Sequence, residues 1–175
     1  GKVHPEGSIL ETEAEAKEHL IVTKAVHDNG GKIVMQILHT GRYGYHKEAV
    51  GPSNKRAPIN VIRPHPLTHD EILATIDDFA QCAWLAQQGG YDGVEIMGSE
   101  GYLINQFIAK RTNDRTDDWG GAFENRIRFA LETIKAVRKR CGEEFIIVFR
   151  LSMLELVEEG STLEEVVQLA KEVEQ

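Results

Sequence analysis

Three places in the sequence put polar side chains where an apolar run ends. Gln36 lies inside the run Lys32–Leu38, with His39 and Arg42 directly after it; Glu95 alternates with Val94 and Ile96, and Met97, Glu100 and Tyr102 follow in a glycine-flanked loop; Arg150 closes the run Phe145–Phe149. An amide in a buried strand costs on the order of 1–3 kcal/mol if it finds no partner. Gln36 therefore bonds neighbouring backbone or offers a paired donor and acceptor to a ligand. His39 and Arg42 form either an anion clamp or a salt-bridged loop anchor. The Tyr102 phenol is either a proton donor or a packing group on a short helix with Leu103, Ile104 and Phe107. An unpaired buried guanidinium is prohibitively costly, so Arg150 pairs with a carboxylate such as Glu95 or meets an anionic ligand. No serine-histidine-aspartate spacing, phosphate loop, His-Glu-x-x-His pattern or Gly-x-Gly-x-x-Gly is present in the sequence.

The elements that must position these residues follow from periodicity. Helical spacing over about Thr12–Asn29 puts Ile21, Val22, Ala25 and Val26 on one face, with Gly30-Gly31 as the stop. Lys32–Leu38 then reads as a strand buried on both faces. The stretch from His39 to Leu67 holds three glycines and four of the five prolines, and predicts a long irregular loop of the kind that is usually functional. Thr68 and Glu71 form a capping box ahead of a helix carrying Ile72, Ile76, Phe79, Ala80, Ala83 and Ala86, closed by Gly89-Gly90. A strand at Asp92–Met97, a helix with Ile127, Ala130, Leu131, Ile134 and Val137, and a strand at Phe145–Phe149 follow. The last helix is capped by Ser161 or Thr162 with Glu164 or Glu165, and carries Leu163, Val166, Val167, Ala170 and Val173. Three strands alternating with four helices predict parallel pairing and an α/β fold, either an open doubly wound sheet or part of a (β/α) barrel. Eight units need about 250 residues, so three strands cannot close a barrel. The loop-like start at Gly1-Lys-Val-His-Pro5 and an end without a helix cap favour a segment of one.

Composition bounds the partners. Twenty-eight acidic against 20 basic residues give a formal charge of −8, which argues against the basic footprint that nucleic-acid binding requires. No apolar run approaches the roughly 20 residues of a membrane span, and no signal-like leader opens the sequence. Cys82 and Cys141 have neither metal nor disulfide-framework spacing and read as packing residues, which fits a reducing cytoplasm.

At these residues the chain resembles the flavin oxidoreductases of the Old Yellow Enzyme type, and most closely their 2,4-dienoyl-CoA reductase branch. The matching stretches are Gln36–Tyr43, Ala57–Asn60, Tyr91–Asn105, Arg111–Asn113 with Trp119–Gly121 and Asn125-Arg126, and Phe149–Met153. They run from about Thr23 onward. The resemblance implies a parallel TIM-barrel fold of which this chain holds about three strands and four helices. Residues 1–175 would then be a single partial domain, the central segment of an FMN-binding (β/α)8 barrel from roughly its second to its fifth helix.

Carried over from the family, Gln36 would bond the pyrimidine edge of FMN, and Arg150 would sit near its N1 and O2 atoms. Tyr102 would be the catalytic proton donor, although a phenol with a pKa near 10 needs help to give up its proton. Glu100 would orient a dienoyl group and Arg111 would contact the acyl-CoA. Met97 and Glu100 stand where much of the wider family has a carbonyl-binding His and Asn, a departure that agrees with the dienoyl-CoA branch. Asp117, Gly120, Gly121 and Asn125, in the stretches Arg115–Asp117, Gly120-Gly121 and Asn125-Arg126, read as shaping a loop and a helix start. The implied activity is reduction of a conjugated C=C bond, with NAD(P)H as ultimate donor and with FAD and an iron-sulfur cluster in a part that follows this chain. The rivals are an amine dehydrogenase of the same superfamily and, for the isolated polypeptide, a non-catalytic scaffold that self-associates through exposed barrel edges.

Overall fold

The computed structural model describes residues 1–174. Its centre is a three-stranded, wholly parallel sheet of β1 (Val34–Ile37), β4 (Gly93–Gly98) and β5 (Ile146–Leu151), with β4 in the middle. Gln36 pairs with Glu95 and Glu95 with Val148, and Met97 pairs with Arg150. Two helices make the crossovers. α3 (His69–Gln88) leads from β1 towards β4, and α5 (Phe123–Cys141) from β4 to β5. The expected capping box is present on α3, where Glu71 N–H donates to Thr68 Oγ1 and Thr68 N–H to Glu71. An equivalent box at Thr162 and Glu165 starts α6 (Leu163–Glu174). Gly142, at φ +87°, ends α5.

One face of the sheet carries the core. Ile37, Val94, Ile96, Phe79, Phe107, Phe129 and Val137 belong to a single buried cluster, with Met35, Ile147, Phe149 and Leu151 packed against it. The rings of Phe107 and Phe129 stack at 4.5 Å, and Phe79 meets Phe129 edge-on at 6.3 Å. The close approach of β4 to β5 requires glycine at 93 and 98, where a Cβ would land 2.2 Å from Ile146 O and from the Phe149 ring. Both cysteines are free; burial pushes the Cys82 thiol up to about 11, and Cys141 is buried.

The other face is open at β1 and β5, which corrects the expectation that the Lys32–Leu38 strand is buried on both sides. Gln36 is exposed, and along β5 exposed residues alternate with half-buried ones. Helices cover only the side that carries Ile37 and Ile96, so the pleat sends Gln36, Ile146, Val148 and Arg150 to the uncovered side.

The single helix expected over Thr12–Asn29 is two, α1 (Glu13–Glu18) and α2 (Leu20–His27). The break lets the chain turn around the glycine pair that ends α3. Thr23 Oγ1 donates to Gly89 O (2.9 Å) and His19 Nδ1 lies 3.0 Å from the Tyr91 hydroxyl. Thr23 is therefore the buried residue of α2, while Ile21 (78% exposed), Val22 and Ala25 face outward, against the periodicity. Below this turn Asp92 draws three segments together, bonded to His27, Lys32 and the Ile33 N–H; the His27 bond first and then the amide hold its carboxyl down at about 2.

The 39–67 stretch is more ordered than expected. It holds a 3-10 turn at Gly41–Tyr43 and a two-stranded parallel pair, β2 (Val50–Gly51) with β3 (His65–Pro66). With α4 (Leu103–Ile108), the described residues form six α-helices rather than the expected four. No helix among the described residues is long and apolar enough to cross a membrane.

Candidate functional site

The open sheet face brings four of the polar residues together. Glu95 Oε1 accepts from Gln36 Nε2 at 3.1 Å and lies 3.1 Å from Arg150 Nε. One carboxylate oxygen on the middle strand thus ties an amide on one neighbour to a guanidinium on the other. Glu100 joins from the loop after β4, its Oε1 3.6 Å from Arg150 Nε. Of the two alternatives for Arg150, a carboxylate or an anionic ligand, the structure shows pairing with Glu95, but its side chain is 48% exposed rather than buried, because no helix among the described residues packs over it. On the same face of β5, Ile146 and Val148 are exposed beside this cation and amide.

Glu100 is held with φ +62°, a left-handed conformation that costs a non-glycine residue of order 1 kcal/mol and concentrates at functional loops. Its N–H donates to Ser152 Oγ (3.2 Å), and the next amide, Gly101 N–H, to Asn105 Oδ1 (2.6 Å). Asn105 Nδ2 in turn donates to Glu155 (2.6 Å), so the loops after β4 and β5 are stitched together.

Tyr102 begins α4 as its N-cap residue, partly buried, and meets the Tyr43 ring edge-on at 5.9 Å and 87°. Leu103, Ile104 and Phe107 are buried behind it. Arg111 stands apart from the Gln36, Glu95, Glu100 and Arg150 group. It is exposed just beyond α4, its N–H donating to Glu159 O (3.0 Å).

His39 and Arg42 are loop anchors. Burial drives His39 down to about 3, and its Nδ1 accepts from Gly41 N–H (3.0 Å), so it is neutral at pH 7 and unable to clamp an anion by charge. The Arg42 guanidinium donates to the carbonyls of Lys55 (3.5 Å) and Arg56 (3.3 Å), so the loop is anchored by backbone oxygens rather than by a salt bridge. In the 115–126 stretch Asp117 accepts from Trp119 N–H and Asn125 from Arg128, local bonds of the loop and helix start, and the two arginines are structural as well. Arg115 binds Asp117 and the carbonyls of Pro52 and Leu67, and buried Arg126 binds Glu165 and the carbonyls of Gly121 and Ile108.

Sequence reasoning missed Gln106. All six residues of α4 are buried, and Gln106 is 1% exposed with every side-chain polar group bonded. The available signal was a glutamine between Ile104 and the Phe107-Ile108 pair, with no solvent face to receive it.

The 175-residue chain matches, over residues 1–175, the model of a family described as NADH:flavin oxidoreductase / NADH oxidase. It is 43% identical over 159 residues to an NADH oxidase of Thermoanaerobacter brockii, a match covering 88% of this chain and 24% of that protein. It is 40% identical over 151 residues to an N,N-dimethylglycine/sarcosine dehydrogenase of Chromohalobacter salexigens, covering 83% of this chain and 22% of that one. Among solved structures, a 2-naphthoyl-CoA reductase in complex with 2-naphthoyl-CoA superposes with a TM-score of 0.92 at 34% identity, covering 99% of this chain and 29% of that one. The chain thus spans about a quarter of the length of these three proteins. Its three parallel strands and crossover helices are part of a parallel (β/α) TIM barrel.

Proposed function

Because the chain belongs to the NADH:flavin oxidoreductase / NADH oxidase family, we propose that residues 1–175 are the central, flavin- and substrate-facing segment of an FMN-dependent enzyme that reduces a conjugated C=C bond. The proposed substrate is an acyl-CoA thioester such as a 2,4-dienoyl-CoA, and NAD(P)H is the ultimate donor. The observation that carries this reading is the shared Glu95 oxygen, which presents the Gln36 amide and the Arg150 guanidinium side by side on the open sheet face.

That donor set fits FMN. An amide matches a ring that offers both a donor and an acceptor, and a guanidinium stabilises negative charge at the pyrimidine edge. The exposed Ile146 and Val148 supply apolar surface for a flat ring. FMN, when bound, supplies a hydride to the terminal alkene carbon. Tyr102 gives its phenolic proton to the other reacting carbon and recovers one from solvent. One π bond is thereby replaced by two C–H bonds. Glu100, fixed by Ser152, orients the unsaturated chain, and the exposed Arg111 meets the anionic CoA portion. Support for a thioester comes from the likeness to a reductase solved with 2-naphthoyl-CoA. The FAD and iron-sulfur relay is assigned to sequence outside these residues, since a cluster needs four cysteine ligands and this chain has two cysteines, Cys141 buried and Cys82 partly buried against the core.

The test is Tyr102→Phe in the full-length enzyme. Reoxidation of the reduced enzyme by 2,4-hexadienoyl-CoA should slow about 100-fold or more while reduction by NAD(P)H is retained; an unaltered rate removes Tyr102 from the chemistry.

The dimethylglycine/sarcosine dehydrogenase likeness favours a second reading, oxidation of a small tertiary or secondary amine at the same face. Turnover of N,N-dimethylglycine with no reaction of any enoyl- or dienoyl-CoA would select it.

A further inference from the structure

The Gln106 side chain joins the two loops that carry the aromatic pair. Its Oε1 accepts from Arg42 N–H (3.1 Å), and its Nε2 donates to Thr40 O (3.2 Å) and to Gly101 O (2.7 Å). Both amide hydrogens are used, so the flip state is fixed by its partners. Thr40 and Arg42 bracket Gly41, in the loop after β1; Gly101 precedes Tyr102 in the loop after β4. Gly41, at φ +58°, is required by this arrangement, because a Cβ there would stand 2.3 Å from Gln106 Oε1.

Tyr102 has two supports beyond its own helix. Its backbone follows Gly101, whose carbonyl Gln106 holds. Its ring meets the edge of Tyr43, whose hydroxyl also reaches Gly101, where a Cβ would fall 2.6 Å away. Tyr43 in turn sits at the end of the 3-10 turn that Gln106 fixes through Thr40 O and Arg42 N–H. Both supports therefore depend on one buried amide, while the Gln36, Glu95 and Arg150 group hangs on strand pairing that Gln106 does not touch.

We infer that Gln106 is the positioning residue of the proton-donating Tyr102, acting through Gly101 and Tyr43 on protonation of the substrate and not on capture of the flavin. The inference rests on Tyr102 being the proton donor. A small displacement of a donor is enough to act this way, since proton transfer needs hydrogen-bond distance.

The experiment uses full-length holoenzyme with Gln106→Met, which keeps the volume and removes all three hydrogen bonds, and Tyr43→Ala, at a partly exposed site that spares Gln106. Reduction of the flavin by NADH and its reoxidation by 2,4-hexadienoyl-CoA are timed separately, in H2O and in D2O. Both variants should slow reoxidation at least tenfold, raise its solvent isotope effect and leave reduction within twofold. In flavin-free protein, a 13C-labelled Tyr102 ring should lose its single sharp resonance in both. Equal slowing of both half-reactions, or a Tyr43→Ala enzyme with wild-type reoxidation and a sharp Tyr102 resonance, overturns the inference; should Gln106→Met fail to fold, the Tyr43→Ala result decides. Wild-type reoxidation in Tyr102→Phe would instead overturn the underlying reading, and the inference with it. Slow reoxidation in Tyr102→Phe beside fast reoxidation in the other two would overturn the inference alone.

Discussion

Arg150 on β5 and Glu95 on β4 stand two residues apart in register on the same face of the sheet, Nε to Oε1 3.1 Å, with the guanidinium half in solvent. A half-exposed pair of this kind contributes about 0–1 kcal/mol to folding, because water screens it. Its placement matters for what can bind over it. Glu95 engages the Nε side of the guanidinium and holds Gln36 with the same oxygen.

Replacing Arg150 by Met should therefore separate folding from binding. The urea midpoint should stay within error of wild type. FMN affinity of the full-length apoprotein, read by fluorescence titration, should fall about 10- to 100-fold, the worth of one or two hydrogen bonds to a charged group. Unchanged affinity would detach Arg150 from flavin binding.

The opposite balance holds at Arg126. It is 1% exposed, lies 5.4 Å from the Phe123 ring centroid, and binds Glu165 across the α5–α6 contact as well as two backbone carbonyls. Removing one partner of a buried pair strands the other charge. Arg126→Met should cost about 3 kcal/mol or more by urea denaturation, with no selective effect on either half-reaction. The double replacement of Arg126 and Glu165 by Met should be milder than the single one; if it is equally severe, the carbonyl bonds rather than the ion pair carry the effect.

Much of the scaffold was legible because its signals are local. Thr68 with Glu71 announced α3 from four residues, and glycine pairs marked its end and that of the first helical stretch. What was not legible depends on partners distant in sequence. The break at His19 exists because Thr23 reaches Gly89, 66 residues away. Gln36 looked buried because its neighbours are apolar, yet exposure is decided by what covers the face, and here helices lie on one side only. The pairing of Arg150 with Glu95 was one of two alternatives legible in the sequence, since the options for a strand-end guanidinium are few. Gln106 escaped notice because glutamine on a short helix has many uses, and only the fold brings Thr40, Arg42 and Gly101 around it.

His39 gives the acid response. Burial lowers it from 6.5 in the unfolded chain to about 3, and its Nδ1 is already occupied as an acceptor from Gly41 N–H. Between these values the unfolded chain binds a proton that the folded chain does not. Stability must then rise with pH across that window, and falls as the solution is acidified from 6.5 towards 3; above 6.5 His39 contributes no slope. The slope from this one group is at most about 1.4 kcal/mol per pH unit. Unfolding free energies measured in urea at pH 7, 6 and 5 should decline for the native protein, and the decline should be shallower in His39→Gln, whose amide keeps an acceptor without titrating. The imidazole should retain neutral nitrogen shifts at pH 5. A protonated imidazole at that pH would mean that solvent reaches His39, and would reopen its use as an anion clamp.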